Sequence, residues 1–405
     1  MKAPAPRRRS RSRRKKRRRR SARGFRHAVF CVAATSCLTC GVTDPVPEQR
    51  EPTKPDDDDP IPTELATVRP ERDADTLDHV KALPYLAGYV PSANEVGVTA
   101  WDEEKAANGY NLYHSGHAPE AFAMDMEGKI VHRWRKDFEA IWGEPADEVN
   151  RRYWRRVHLL PGGGLLAIFS GEGIVRLDLE SEVVWSWRAD CHHDVTIGPD
   201  GRIHVLTRKW REYSGRPILE DFITVLDSDG NVVEEHSVLE ALARSEHASI
   251  LEQAPREGDI LHTNTVRVLK GTYADRMPVF KRGNYLISIC YLSTVAVLDP
   301  SDGRIVWAVQ GNESALSFQG QHDPMLVEDG NLLLFDNLGR DGFSRILEFD
   351  PLTEKLEWRF APDDFASYRL GAIQRLPNGN TLITDSVGGT AFEVTREKEV
   401  VCLLY

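Results

Sequence analysis

Three histidines stand at one repeated place in the sequence: His193 in HHDVTIGPDG, His262 in HTNTVRVLKG and His322 in QHDPMLVEDG. Each opens a short strand-like run that ends in a Gly-containing turn. Neutral imidazole can act near neutral pH as a proton carrier or a metal ligand, so three of them on one space admit several chemistries. One is nucleophilic attack, with the neighbours stabilising developing charge. A second is metal binding, and a third is capture of a ligand in a channel. Spacing alone leaves the three open. Asn264 follows His262 by two residues, so on an alternating strand it shares that histidine's face. Asp194 and Asp323 directly follow a histidine and are expected to point away, orienting neighbours. His192 is disfavoured by the same parity. His114, His117, His132, His158, His204, His236 and His247 fall on no shared position and are assigned to core or surface.

What must position these side chains is a repeat. A strand ending in Asp, a turn and a strand ending in Trp recur in Ala121–Trp134, Gly173–Trp187, Val295–Val309 and Arg345–Phe360, more weakly in Phe222–Ser237 and Ala391–Tyr405. Each is hairpin chemistry, with β-branched runs around a Gly, Asp or Ser turn. A second hairpin precedes most copies, as in LLPGGGLLAIF and IQRLPNGNTLI. Two hairpins per unit, with units of roughly 35 to 60 residues in series, predict a β-propeller. Counting Val96–Trp101 as the first strand gives six units, starting near residues 96, 153, 193, 262, 322 and 369. The expected fold is therefore all-β: a six-bladed propeller of four-stranded antiparallel blades over 94–405. Function falls to its axial channel, where the first strands converge. The recurring Trp134, Trp187, Trp307 and Trp358 are expected to wedge between blades. Residues 239–259 have helical spacing and are expected as a loop or short helix on one face.

Charge divides the chain. Of its 52 basic residues, 15 lie in Met1–Arg26, leaving 37 against 62 acids in the remainder. A body that acidic repels phosphate backbones, which argues against nucleic acid as a partner. The basic leader runs into FRHAVFCVAATSCL, the order of an export signal, and that run is too short to span a bilayer. Residues 1–40 are thus expected to direct export to the periplasm or cell envelope, with Cys37 or Cys40 as a lipidation site. Twin-arginine export is an alternative. Residues 41–93 contain the Pro- and Asp-rich stretch PVPEQREPTKPDDDDPIP and are expected as a tether. Membrane contact is expected only through the lipid anchor. Cys191, Cys290 and Cys402 form neither a disulfide framework nor a metal-type pair.

Gly97–Trp134, HHD at His192–Asp194, HTN at His262–Asn264 and QHD at Gln321–Asp323 resemble, in that order, the arylsulfate sulfotransferase family. The likeness covers about 310 residues, essentially the whole body. It implies a six-bladed envelope propeller that moves a sulfuryl group from an aryl sulfate to a phenol. It also implies a sulfated histidine intermediate and no cofactor, in keeping with the lack of a phosphate-cradling glycine loop. Mapped by motif, His322 is the nucleophile, and His193, His262 and Asn264 hold sulfuryl oxygens or exchange protons. The chain departs from the family at the arginine after HTN, where NYLISICYLST places Ile289, Cys290 or Tyr291. A guanidinium is the natural partner of a sulfate. Arg340 and Arg369 are expected as substitutes from neighbouring loops, with Tyr291 as a substrate contact. Other readings of the same repeat are a propeller that binds a ligand or partner without catalysis, a quinoprotein-type propeller, and a metal-dependent hydrolase.

Overall fold

The computed structural model describes the backbone of Val29–Ala33 and residues 96–405 apart from 340, 341 and 364. Its strands form six blades of four strands each. Blade two is Arg156–Leu159, Leu165–Phe169, Gly173–Leu177 and Val183–Arg188, each paired antiparallel to the next. Blades three to six repeat that order from innermost strands Cys191–Ile197, Thr263–Val268, His322–Leu326 and Ala372–Arg375. These strands neighbour one another around a ring that Val29–Ala33 closes between blades six and two. The predicted six-bladed propeller is the fold observed.

Burial explains why the sequence makes these strands. The two middle strands of a blade are covered on both faces by neighbouring blades, so they appear as unbroken apolar runs such as Leu165–Phe169 and Leu332–Asp336, buried throughout. Parallel sheets show the same effect when both faces are covered. The outermost strand, as in Val183–Arg188, is largely exposed. Two of the recurring tryptophans join blade to blade as well as filling space: Trp134 Nε1 donates to the Gly163 carbonyl at 2.9 Å and Trp358 to that of Arg396 at 2.8 Å. In blade two Trp185, rather than Trp187, donates to the Ser228 carbonyl at 3.0 Å. In each case the acceptor is a turn of the next blade. Trp187 and Trp307 pack against apolar clusters.

The count of six units holds, but two features correct the strands assigned to the first of them. Val98–Trp101 is not the first strand of blade one; it pairs antiparallel with Val400–Leu404 as a fifth strand of blade six, so the ring is closed by both ends of the body. Blade one has Tyr110–His114, Glu120–Asp125 and Ile130–Arg135, and its innermost strand is Val29–Ala33, paired in parallel with Tyr110–His114. Periodicity missed this because the donor strand lies more than 70 residues upstream, within the apolar run of the leader. A chain beginning at residue 75 leaves the inner edge of blade one unpaired. It is expected to melt several degrees below the full chain, as measured by circular dichroism.

Blade three carries the insertion. Its middle hairpin, Ile203–Tyr213 and Arg216–Leu226, is eleven residues a side, about twice the others. After it come a helix, Val238–Ala243, capped by the Ser237 hydroxyl, and a 3-10 turn, Ala248–Gln253. Gly258–Asp259 then pairs in parallel with Ile218–Leu219, which fixes Asp259 just ahead of blade four.

Candidate functional site

A pocket opens where the innermost strands converge. It is lined by Arg155 and Arg156 of blade two, His193 and Asp194 of blade three, Asn264 and Thr265 of blade four, His322 and Asp323 of blade five and Leu370, Gly371, Ala372 and Ser386 of blade six. Its open space, mouth included, is about 430 Å³.

The three motifs sit on irregular strand starts. His193 (φ 46°), His262 (φ 52°) and Asp323 (φ 55°) are left-handed, and each of their strands has a register shift at its first residues. Bulges re-aim side chains, and non-glycine residues held in such conformations cost on the order of 1–3 kcal/mol and gather at functional sites. Simple alternation therefore fails here. His192, disfavoured by parity, is buried and places its Nδ1 2.8 Å from that of His193.

His322 is buried, and its tautomer is set by its surroundings. Its Nδ1 lies 2.7 Å from Asn337 Oδ1 and 3.0 Å from the Gly320 carbonyl. Asn337 donates its own amide hydrogens to the carbonyls of Ser367 and Leu370, so its oxygen must face the imidazole. Two acceptors at Nδ1 put the proton there and leave the lone pair on Nε2. Burial lowers the His322 pKa to about 4, helped by the charge of Arg155 and opposed by the Asn337 bond, so the ring is neutral at physiological pH.

Behind His193 stands His262, at 4.7 Å between ring centroids and edge to face. Its Nδ1 meets Asp259 Oδ2 at 2.6 Å, and the other oxygen of that carboxylate accepts its backbone N–H at 3.0 Å. Tyr291 stacks on its outer face at 4.6 Å and an interplanar angle of 8°. Burial drives the His193 pKa well below its ordinary value, with Arg155 the next cause.

The acids after the histidines connect the blades. Asp194 accepts from the Val266 N–H at 3.0 Å, and Asp323 accepts from the Ile373 N–H at 2.9 Å, each in the following blade. Arg156 neutralises Asp194 at 3.0 Å, and Arg267 pairs with Asp323. Asn264 belongs to the same system: its Nδ2 donates to the Gln321 carbonyl at 2.8 Å, so one of its two hydrogens holds the blade-five strand that carries His322.

Arg155 is the residue the sequence reading missed. It is buried, immediately precedes the first strand of blade two, and lines the pocket with His193 and His322, whose pKa values its charge lowers. It lies two residues beyond the start expected for the second unit, near residue 153. In the stretch Ile289–Tyr291, where the family's arginine is expected, Cys290 is an un-ionised thiol, its pKa pushed up to about 12 by burial. Arg369 is exposed, and blade six lines the pocket from Leu370 onward. Arg340, Cys37 and Cys40 lie outside the described residues. Among the described residues, no group of three or more His, Cys, Asp or Glu side chains is placed to hold a metal ion.

Gly371 forms part of the wall because nothing larger fits: a Cβ there would meet the Phe335 ring at 2.4 Å. Phe335 is fully buried and cannot withdraw freely. Gly371→Ala is expected to cost about 1–3 kcal/mol by overpacking, read as a lower denaturant midpoint at unchanged slope.

Fold and site together define an all-β propeller with an axial pocket lined by imidazoles and a buried guanidinium. The sequence pattern of the arylsulfotransferase (ASST) family matches residues 156–403, more than half of the chain, and the protein belongs to that family. No curated protein matches it. Similar solved structures include a protein of unknown function from Bacteroides caccae, at 16% identity over 71% of this chain and 89% of that one, with TM-score 0.45. Virginiamycin B lyase from Staphylococcus aureus, solved with quinupristin, matches at 11% over 76% and 87%, with TM-score 0.43. Hydrazine synthase from Kuenenia stuttgartiensis matches at 12% over 78% and 81%, with TM-score 0.44.

Proposed function

We propose that the protein transfers a sulfuryl group from an aryl sulfate to a phenolic acceptor through a sulfated His322. The observation that carries this reading is the fixed tautomer of His322: an uncharged ring whose lone pair is on Nε2, on a pocket that also holds the Arg155 guanidinium. In the first half-reaction Nε2 attacks sulfur, the aryl O–S bond breaks with its electron pair, and a phenolate leaves. Arg155 pairs with the sulfuryl oxygens throughout, offering planar donors to an oxyanion. Nδ1 keeps its proton against Asn337, so the sulfated ring is cationic and a good leaving group. In the second half-reaction the acceptor oxygen attacks sulfur, the N–S bond breaks, and its electron pair returns to Nε2. His193 and Asn264 contribute polar atoms to the same pocket.

The test is release of 4-nitrophenolate from 4-nitrophenyl sulfate, with and without phenol. Release accelerated by phenol, together with a mass gain of one SO3 on the His322 peptide after rapid acid quench, is the expected result. Neither signal from folded protein would overturn the reading in favour of a propeller that binds a ligand without turning it over. The proposal includes export by the basic leader, to be checked by cell fractionation; attachment at Cys37 or Cys40 would cut Val29–Ala33 away from blade one, so mass spectrometry of the mature N-terminus decides between a lipid anchor and retention of that strand.

A further inference from the structure

Resting on that reading, we infer that Asp259 forms a dyad with His262 and positions it to accept the proton of the incoming phenol, a proton-exchange role that the family resemblance implies for this histidine. Of the three motif histidines, His193 and His322 line the pocket and His262 stands against His193, and the three differ in what meets Nδ1. His322 has a neutral amide and a carbonyl on Nδ1, and His193 has only another imidazole, His192. His262 alone of the three has a carboxylate on Nδ1, at 2.6 Å. That contact puts the proton on Nδ1 and the lone pair on Nε2, which no described residue hydrogen-bonds. It also stabilises the imidazolium that forms when Nε2 takes a proton, which is what a general base needs from a partner carboxylate.

Asp259 is itself held in place. Its second oxygen accepts the His262 backbone N–H, the Arg208 guanidinium lies 4.0 Å away, and the strand pair Gly258–Asp259 with Ile218–Leu219 fixes its backbone. Neighbouring Asp221 accepts the Thr263 N–H at 2.6 Å and lies 3.5 Å from His192 Nε2, bracing the strand start from the other side. Tyr291, stacked on His262 and 40% exposed, supplies an aromatic edge where a phenol ring can rest. The proton balance closes over one cycle. Phenol O–H gives its proton to His262 Nε2 as its oxygen bonds to sulfur, and the His262 imidazolium returns that proton to the next departing phenolate or to water.

Asp259 is thus a positioning residue, and its loss should be selective. A nitrophenolate leaves without needing a proton, whereas an ordinary phenol cannot attack well without losing one. Asp259→Asn is therefore expected to keep the stoichiometric nitrophenolate burst of the first half-reaction. It should lose transfer to phenol by about 10²-fold or more in kcat, the scale of general-base catalysis. Transfer to pentafluorophenol, already ionised at neutral pH, should change by less than about tenfold. His262→Gln serves as the second variant if Asp259→Asn melts early, with the same expected pattern. Equal loss with both acceptors, or none with either, would overturn the dyad. No burst in the wild-type protein would instead sink sulfotransfer itself, and the dyad's role with it.

Discussion

A His322→Ala variant is expected to lose sulfuryl transfer by at least about 10⁴-fold in kcat, the scale seen when a nucleophile is removed from an enzyme that works through a covalent intermediate. The fold should survive, because His322 makes its two side-chain hydrogen bonds at Nδ1 and the blade is held mainly by other contacts. Gln321 next to it donates to Ser288, Ile289 and Thr294, and Asp323 accepts from Ile373. An unchanged melting curve with no burst of nitrophenolate is the expected pair of results. The wild-type pH profile adds a second reading on the same group. With a pKa lowered to about 4 by burial and by Arg155, His322 is neutral across physiological pH, and the nitrophenolate burst, which does not call on His262, should fall only as the pH drops through about 4. A profile that falls near the ordinary histidine range would show that some other group carries the nucleophilic lone pair.

Much of the fold was legible because blades repeat. The turn-Asp and strand-Trp signals recur since each blade solves the same packing problem, and the Trp134 and Trp358 indoles make the same contact with the next blade. Repetition also exposed His193, His262 and His322, which share a slot. What stayed hidden breaks the period. Val29–Ala33 reaches blade one from the leader, and no repeat marks it. Asp259 ends a non-repeating insertion, and Asn337 follows the second strand of blade five rather than the first. Asp194 and Asp323 were expected to point away because alternation was assumed through bulges, yet both line the pocket. Arg155 was within reach: it is a cation at the start of blade two, obscured by an offset of two residues from the start expected for that unit and by the expectation of an arginine after HTN. The lesson is physical. An anion site needs a guanidinium at a point in space, and a propeller can deliver it to the axis from any blade.

Arg155→Ala tests that substitution of one blade for another. The side chain is buried beside two histidines whose protonated forms it disfavours, so it does two things at once. In the proposed reaction it faces the sulfuryl oxygens, where removing one aligned donor typically costs about 10²–10³-fold in kcat. Its charge also adds to the burial that keeps His322 neutral, so its loss should raise the His322 pKa and move the acid limb of the profile to higher pH. A simple structural cation would produce neither effect in the folded protein. Arg155→Lys restores the charge without the planar fork. It should bring the acid limb back toward its wild-type position while recovering only part of the rate. Rate and limb moving together in both variants would mean that Arg155 acts through the charge of His322 alone. A rate loss in Arg155→Lys that persists with the limb restored would assign the guanidinium to the sulfuryl group directly, the role the proposed reaction gives it on the pocket it shares with His322.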